Sequence, residues 1–374
     1  MKIGMFIDSY HPLINGIATS IDSLKSGLEK LGHEVYIIAA ANTKKIEIKD
    51  NVISIPSIDY PYWNIRLINP YSKKSQSLIK DLNLDIVHTH SEGSVGYFGN
   101  IVKRKFNIAN IHTAHFLYRD YKYYILNNKL HAGDIVEKIL IKGFCNNCDA
   151  LIFPSEKYRD YVISNFKLDK EPHVIYNGVD LYEDNNFNKS DFRNKLGISD
   201  DDFILLCPGR IAKEKNIEFL VEAQKKLEED QNIKLMLIGY GPNLEYVKSI
   251  APKSTIILGC VDHNQMFKYY KSADLTVSAS TSETQGLTIL ESIKCSTPVL
   301  CINDMAFKYI VKNGDNGLIF NNQDEYINFV RSLRNNQKEL LKLKINCLKY
   351  KDKYDSYSYA KNVEQVYEYV LNNK

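Results

Sequence analysis

No stretch of this 374-residue sequence is long and apolar enough to span a bilayer. Its longest uninterrupted apolar runs, such as Val35 to Ala41, fall far below the ~20 residues required. The N-terminal run is not expected to act as a secretory leader, because Asp8 cuts it before it reaches the length of a signal-peptide core. Charge of one sign is scarce: 48 basic and 45 acidic residues leave a formal +3, too balanced for a nucleic-acid binder that relies on bulk charge. Cysteine is sparse and odd in number, at seven, which is the pattern of reduced thiols in a cytosolic protein. The dinucleotide fingerprint Gly-x-Gly-x-x-Gly is absent after the first strand, and this counts against a dehydrogenase. What remains is a chain 44% hydrophobic and 25% charged, long enough for two domains. At that size neither disulfides nor a structural metal is needed for stability.

Short β-branched runs alternate with amphipathic segments from end to end. Strands are predicted near Lys2–Ile7, Glu34–Ala39, Val52–Pro56, Asp85–Thr89, Asn110–Thr113, Ala150–Pro154 and Val174–Tyr176. Further strands are predicted near Phe203–Cys207, Lys234–Ile238, Thr255–Leu258, Leu275–Ala279 and Pro298–Cys301. Between them lie helical patterns at Thr19–Leu31, Asn216–Glu229, Leu287–Ile293 and Phe307–Lys312. Such alternation implies parallel sheets with helices on both faces, and there are too many strands for one sheet. The fold class is therefore α/β, with two doubly wound, Rossmann-like domains. The polar, aperiodic segment Asp180–Asn188 is the expected seam. Domains are expected at 1–180 and 181–355, with a terminal helix in 356–374 that packs back on the first domain or stands apart from the second. Residues 1–177 carry 22 basic and 18 acidic side chains, and eight basic against four acidic fall within 101–150.

In open parallel sheets ligands bind beyond the carboxyl ends of the strands. After the first strand, Asn15-Gly16 opens a helix and offers backbone amides to an anion, or is a plain strand–helix turn. After the first strand of the second half comes Pro208-Gly209-Arg210-Ile-Ala-Lys213-Glu-Lys215. Its glycine and two cations have the composition of a diphosphate clamp, or of solvated side chains before a helix. The strongest local signal is Ser280-Thr-Ser-Glu283-Thr-Gln285-Gly286-Leu287-Thr288-Ile-Leu-Glu291. Here a loop carboxylate precedes free amides at a helix start, and a second carboxylate lies some two turns further along. Together they suit a sugar hydroxyl, a phosphate and a ribose, although a carboxylate there also complements the helix dipole.

Gly209-Arg210, Lys215, the Glu283-x7-Glu291 spacing and Asn177-Gly178-Val179-Asp180 together resemble the retaining nucleotide-sugar glycosyltransferases of family four. In the first half, His88-Thr-His90-Ser-Glu92, His112-Thr-Ala-His115-Phe-Leu-Tyr118-Arg-Asp120-Tyr121 and Phe144-Cys-Asn-Asn-Cys-Asp149 narrow the likeness. These look like the bacterial diacylglycerol glucosyltransferases that make membrane glucolipids. Two positions depart from that pattern: Ala114 stands where a tyrosine is usual, and Arg119 replaces an acidic residue. The resemblance implies the GT-B fold, two domains facing a central cleft, and transfer of a hexose such as glucose from a UDP-sugar to 1,2-diacylglycerol. It implies that Arg210 and Lys215 neutralise the donor diphosphate, with Gly209, Gly286, Leu287 and Thr288 around it. Glu291 would hold the ribose, Glu283 the sugar hydroxyls, His115 the sugar and acceptor, and Gly16 the phosphate region. It further implies retention by same-face attack, no metal or other cofactor, no nucleic acid, and peripheral attachment to the inner face of the cell membrane. Alternatives are the same fold acting on a soluble or polymer-bound acceptor, and a nucleotide-sugar epimerase or hydrolase.

Other features carry competing readings. His88, His90, His112 and His115 invite a metal, but no Cys–His or carboxylate spacing completes a recognised site; His112 reads as structural and His115 as functional. Cys145-Asn-Asn-Cys148 lacks a second such pair and reads as buried thiols at a helix end. The run Lys103-Arg104-Lys105 is either a solvated helix end or a surface for anionic lipid. The Trp63 loop and the Tyr121–Tyr124 cluster read equally as packing or as interface elements.

Overall fold

The structure, a computed structural model, describes residues 1–11, 16–60, 65–115, 130–230 and 232–374, with backbone alone at 60, 65 and 130–136. The expectations placed on Asn15, Trp63, Tyr118, Arg119, Asp120 and Tyr121–Tyr124 lie outside these residues. The chain divides into two compact units, Met1–Gly178 with Asp355–Lys374, and Val179–Tyr354. The divisions thus fall at 178 and 354, not at 180 and 355.

Among the described residues the first unit is built on a sheet of nine strands: β1 (Lys2–Ile7), β2 (Glu34–Ala41), β3 (Glu47–Lys49), β4 (Val52–Tyr60), β5 (Ile65–Ile68), β6 (Ile86–Thr89), β7 (Ala109–Thr113), β8 (Ala150–Phe153) and β9 (His173–Val174). Their order is β3-β4-β2-β1-β6-β7-β8-β9, with β5 also on β4. Strands β3 and β5 are antiparallel to β4, and the other pairs are parallel. The second unit has six parallel strands: β10 (Phe203–Pro208), β11 (Ile233–Ile238), β12 (Thr255–Gly259), β13 (Leu275–Ser278), β14 (Val299–Ile302) and β15 (Gly317–Phe320), in the order β12-β11-β10-β13-β14-β15. Both orders are doubly wound. Each reverses beside its first strand, so the loops after β1 and β6, and after β10 and β13, flank the switch points where such sheets receive ligands.

Each strand expected from the sequence has a counterpart, although the one expected at Val174–Tyr176 forms only as His173–Val174, and β3, β5 and β15 add to them. Strand β3 is three exposed residues on an edge, too short for alternation to register. The pattern Phe307–Lys312 is not a helix of that span: the helix is Met305–Lys308, capped by Asp304. The chain beyond it is held by turns onto the Phe307 carbonyl and by Asn316, whose carboxamide accepts from Lys312 N–H at 2.8 Å. Among the described residues no helix is long and apolar enough to cross a membrane.

The helix Ser356–Asn372 belongs to the first unit. Tyr359, Ala360, Val363, Val366, Tyr367 and Val370 recur at helical spacing and are buried with Ile21, Leu24 and Leu28 of the helix Gly16–Lys30. The two helices approach closely because position 27 is glycine. A Cβ there would meet the Ser356 carbonyl oxygen at 2.1 Å and the Ala360 Cβ at 2.6 Å. Polar bonds tie the same helix down: Lys30 Nζ donates to Ser356 Oγ at 3.2 Å, and His33 Nε2 lies 2.7 Å from Glu364. Replacement Gly27→Val drives a branched side chain into backbone that cannot yield without moving the helix. We expect it to destabilise the protein by about 1–3 kcal/mol, read as a lower urea midpoint, whereas Gly32→Ala at an open, positive-φ turn should cost less.

Candidate functional site

In the second unit the site is assembled from the loops that leave β10 and β13. Gly209 follows β10 with a φ of +135°, which an L side chain rarely adopts, and its N–H donates to the Ile238 carbonyl at 2.8 Å. A short turn, Lys213–Lys215, comes next, and Asn216 in the left-handed region starts the helix Ile217–Leu227. This turn is stitched to the other loop. Ser282 Oγ donates to the Glu214 carbonyl at 3.0 Å, and Asn216 Nδ2 to the Ala279 carbonyl at 3.3 Å. Across the seam Lys215 Nζ donates to Glu283 Oε1 at 2.5 Å. The exposed Arg210 guanidinium lies 3.8 Å from the Glu214 carboxylate.

Gly286, with φ of +89°, opens the helix Leu287–Lys294. A Cβ there would press on the Phe307 ring at 2.8 Å, so space as well as backbone angle selects glycine. The amides of Leu287 and Thr288 fall in the first turn, where helix geometry provides no intrahelical carbonyl. Glu291 lies one turn, not two, beyond Leu287, because residues 283–286 are not helical. It does not face solvent. It is buried, with Oε1 at 2.9 Å from His263 Nε2 and Oε2 accepting from Tyr270 Oη at 2.6 Å. Burial first, and the neighbouring Glu291 next, push the Tyr270 hydroxyl well above its ordinary pKa, so it remains a donor to that carboxylate. His263 and Tyr270 carry no signal in the sequence that would have tied them to Glu291.

The first unit contributes a buried histidine cluster at the carboxyl ends of β6 and β7. His88 lies with Nδ1 2.7 Å from Tyr367 Oη and Nε2 2.7 Å from Thr113 Oγ1. His112 has acceptors at both nitrogens: the Thr89 carbonyl 3.1 Å from Nδ1 and the Glu92 carboxylate 3.3 Å from Nε2. His90 Nδ1 lies 3.1 Å from His115 Nε2. Burial, with neighbouring histidines adding to it, pushes His88 and His90 well below the ordinary imidazole pKa. Burial, then the His112 ring, takes His115 down to about 3. Among the described residues no group of histidine, cysteine and carboxylate side chains could hold a metal ion.

The loops after β1 and β6 are joined by Asp8, which sequence reading passed over as a mere break in an apolar run. Its carboxylate accepts from Gly93 N–H at 3.0 Å and Val95 N–H at 2.8 Å, at the start of the helix Ser94–Phe106. A Cβ on Gly93 would sit 2.4 Å from that carboxylate. Gly16 is exposed at the start of its helix. The structure therefore joins Arg210, Lys215, Glu283, Gly286, Leu287, Thr288 and Glu291 on one edge of one unit, and His115 with three other histidines in the other unit. Cys145 and Cys148 are buried at a helix end, and Cys148 Sγ donates to the Cys145 carbonyl at 3.0 Å. Burial pushes the Cys148 thiol up to about 11, so it stays protonated and inert.

Residues 14–183 match the family model described as Glycosyltransferase Family 4, and residues 188–350 the model described as glycosyl transferases group 1. The chain is 39% identical over 313 residues to an alpha-monoglucosyldiacylglycerol synthase of Streptococcus pneumoniae, covering 80% of this chain and 70% of that one. It is 35% identical over 391 aligned positions to an alpha-monoglucosyldiacylglycerol synthase of Acholeplasma laidlawii, covering 98% and 96%. Among solved structures it is similar to a sucrose-phosphate synthase from Thermosynechococcus elongatus, with a TM-score of 0.77 at 18% identity over 100% of both chains. It is likewise similar to Anabaena HepE in complex with UDP and glucose, with a TM-score of 0.77 at 16% identity over 98% and 99% of the two chains. At these identities the likeness to solved structures is one of fold.

The histidine cluster makes stability depend on pH. From the ordinary value of 6.5 down to about 3 for His115, the unfolded chain binds protons that the folded chain does not. Unfolding free energy must therefore fall as pH falls, by up to ~1.4 kcal/mol per pH unit for each imidazole kept neutral. Asp8, raised by burial, acts the other way: its contribution is present at low pH and lost as pH rises through its folded value. Three imidazoles outweigh one carboxyl, so urea midpoints should drop between about pH 7 and about pH 5. A midpoint constant over that range would contradict the neutral cluster.

Proposed function

The chain belongs to Glycosyltransferase Family 4, and we propose that it transfers glucose from UDP-glucose to diacylglycerol in a membrane. Its two parallel-sheet units have the GT-B fold. One observation carries the substrate reading. Two relatives at 39% and 35% identity, one of them matched over 98% of this chain, bear the same alpha-monoglucosyldiacylglycerol synthase name.

Breaking a glycosyl–phosphate bond sends an electron pair onto the departing diphosphate and develops positive charge on the sugar. Preorganised cations and helix amides can stabilise the departing charge without a metal. Arg210, Lys215 and the first-turn amides of Leu287 and Thr288 fill that role, with Gly209 and Gly286 supplying the positive-φ turns of the two loops. Glu291 takes the ribose hydroxyls, its carboxylate oriented by His263 and Tyr270. Glu283 holds the sugar hydroxyls, and His115 and Gly16 act from the first unit. The acceptor oxygen bonds the anomeric carbon on the face the diphosphate leaves, and its proton passes to the departing phosphate. The configuration is retained.

Attachment to the bilayer is part of the reading, because a diacylglycerol does not diffuse through water. The antiparallel pair β4–β5 supports it: Ile58, 72% exposed, pairs with the exposed Leu67, near Arg66. Tyr71, 63% exposed, lies with its hydroxyl 3.0 Å from that of Tyr97. The Lys103–Lys105 run is a helix end with partners of its own. Lys103 Nζ donates to Asp149 at 2.8 Å, and Lys105 Nζ to Gln76 at 2.7 Å. Reversing Lys103 would thus injure the fold; Arg66, whose Nε donates to the exposed Asp59 carboxylate at 3.1 Å, lies on the β4–β5 pair itself and is the residue to test for lipid contact.

With UDP-glucose and vesicles containing diacylglycerol, the expected product by mass is a monoglucosyldiacylglycerol. Its formation should survive EDTA, increase with anionic lipid and fall at high salt, where the Debye length shrinks to ~3 Å. Loss with EDTA restored only by a divalent cation would reject the metal-free mechanism. Equal transfer to a water-soluble acceptor, whatever the lipid charge, would reject the lipid reading.

Two substitutions separate the roles in the second unit. Lys215→Ala should lower kcat by about 10²–10³, the usual cost of removing one electrostatic stabiliser. Glu291→Ala should weaken UDP binding in isothermal titration, and unchanged affinity would refute the ribose assignment.

A further inference from the structure

The histidine pair at the end of β6 and β7 fixes more than a side-chain position. His90 and His115 are both buried, and their rings lie 24° from parallel with centroids 5.4 Å apart. Nδ1 of His90 lies 3.1 Å from Nε2 of His115, a distance that requires one nitrogen to carry a proton and the other a lone pair. The far nitrogen of His90, Nε2, is buried and has no hydrogen-bond partner among the described residues.

Only two neutral assignments satisfy the short contact. If His115 donated from Nε2, the proton of His90 would sit on its own Nε2 and leave an N–H buried without an acceptor. If His90 donates from Nδ1, its Nε2 holds only a bare lone pair. Orphaned buried N–H groups are the rarer and costlier defect, so the second assignment is favoured. We infer that His90 is a positioning residue that donates from Nδ1 and thereby locks His115 as the tautomer protonated on Nδ1. The His88 ring, with its centroid 4.0 Å from that of His90, backs this arrangement and is itself fixed by Tyr367 and Thr113. Burial keeps both rings neutral, so the assignment holds across the working pH range.

The consequence for the reaction rests on the reading that His115 meets the sugar or acceptor. With Nε2 engaged and Nδ1 protonated, His115 has no free lone pair. It can donate one hydrogen bond to a substrate oxygen, and it cannot serve as the general base for the acceptor hydroxyl.

The test is a long-range proton–nitrogen NMR correlation on the full chain labelled with ¹⁵N-histidine, with signals assigned from His90→Asn and His115→Ala. His115 should show a protonated Nδ1 and a bare Nε2, and His90 a protonated Nδ1. Activity provides a second readout. Asparagine at position 90 keeps an N–H donor near the same place and should retain kcat within about threefold. His90→Phe should lose about tenfold in kcat with the KM for UDP-glucose little changed. A His115 protonated at Nε2, or a His90→Phe enzyme with wild-type turnover, overturns the inference. His115→Ala at the wild-type rate would instead overturn the role given to His115, while the NMR result still decides the tautomer.

Discussion

The constraint on which this structure depends is desolvation at the carboxyl ends of buried parallel strands. A strand covered on both faces can end in polar side chains only if partners arrive from elsewhere in the chain, because an unpartnered polar group in that environment is costly. Strands β6 and β7 end in His88, Thr89, His112 and Thr113, all buried. Tyr367, on the last helix, supplies the partner for His88 from 279 residues away. The helix that completes the apolar core of the first unit therefore also completes its polar cluster. That double duty explains why a segment at the far end of the sequence is folded into the first unit.

The second unit meets the same constraint with charge. At the amino end of β13 the buried Arg193 guanidinium bonds Asp274 at 2.8 Å and several backbone carbonyls, joining helix Lys189–Lys195 to the sheet. At the carboxyl end Lys215 meets Glu283, and Glu291 is held by a histidine and a tyrosine. Paired, hydrogen-bonded charges of this kind contribute little net stability but are costly to break singly, so they specify geometry. The first unit instead buries His88, His90 and His115 as neutral rings. The histidine cluster of one unit thus presents neutral donors and acceptors, and the site edge of the other presents fixed charges.

Much of the fold was legible because β-branched runs and helical spacing survive without their context. The strands missed were those whose signal is weakest: the three-residue edge β3, the short β5 and the glycine-led β15. The site was legible through residues that leave a mark in the local sequence, such as Gly286 before a helix or the two cations after β10. Their partners were not. Asp8, His263, Tyr270 and Tyr367 lie far from the groups they hold, and none stands at a spacing that periodicity could detect. Glu291 shows the limit most plainly. Its spacing from Glu283 was readable, while its burial between His263 and Tyr270 depends on two other elements of the fold.

The pairing of Lys215 with Glu283 also bears on how the proposed reaction holds its cation in place before the donor arrives. Alone, a half-buried ammonium would carry an uncompensated desolvation cost. Held by Glu283, it is locally neutralised yet only 2.5 Å from its partner, positioned without being spent. In the proposed reaction a diphosphate brings more negative charge than one carboxylate and draws the ammonium toward itself. Glu283 then loses a partner at the moment that sugar hydroxyls arrive to donate to it. Donor binding and carboxylate release are in this way one exchange of hydrogen bonds, and the cost of separating the ion pair is offset by the two new contacts that replace it.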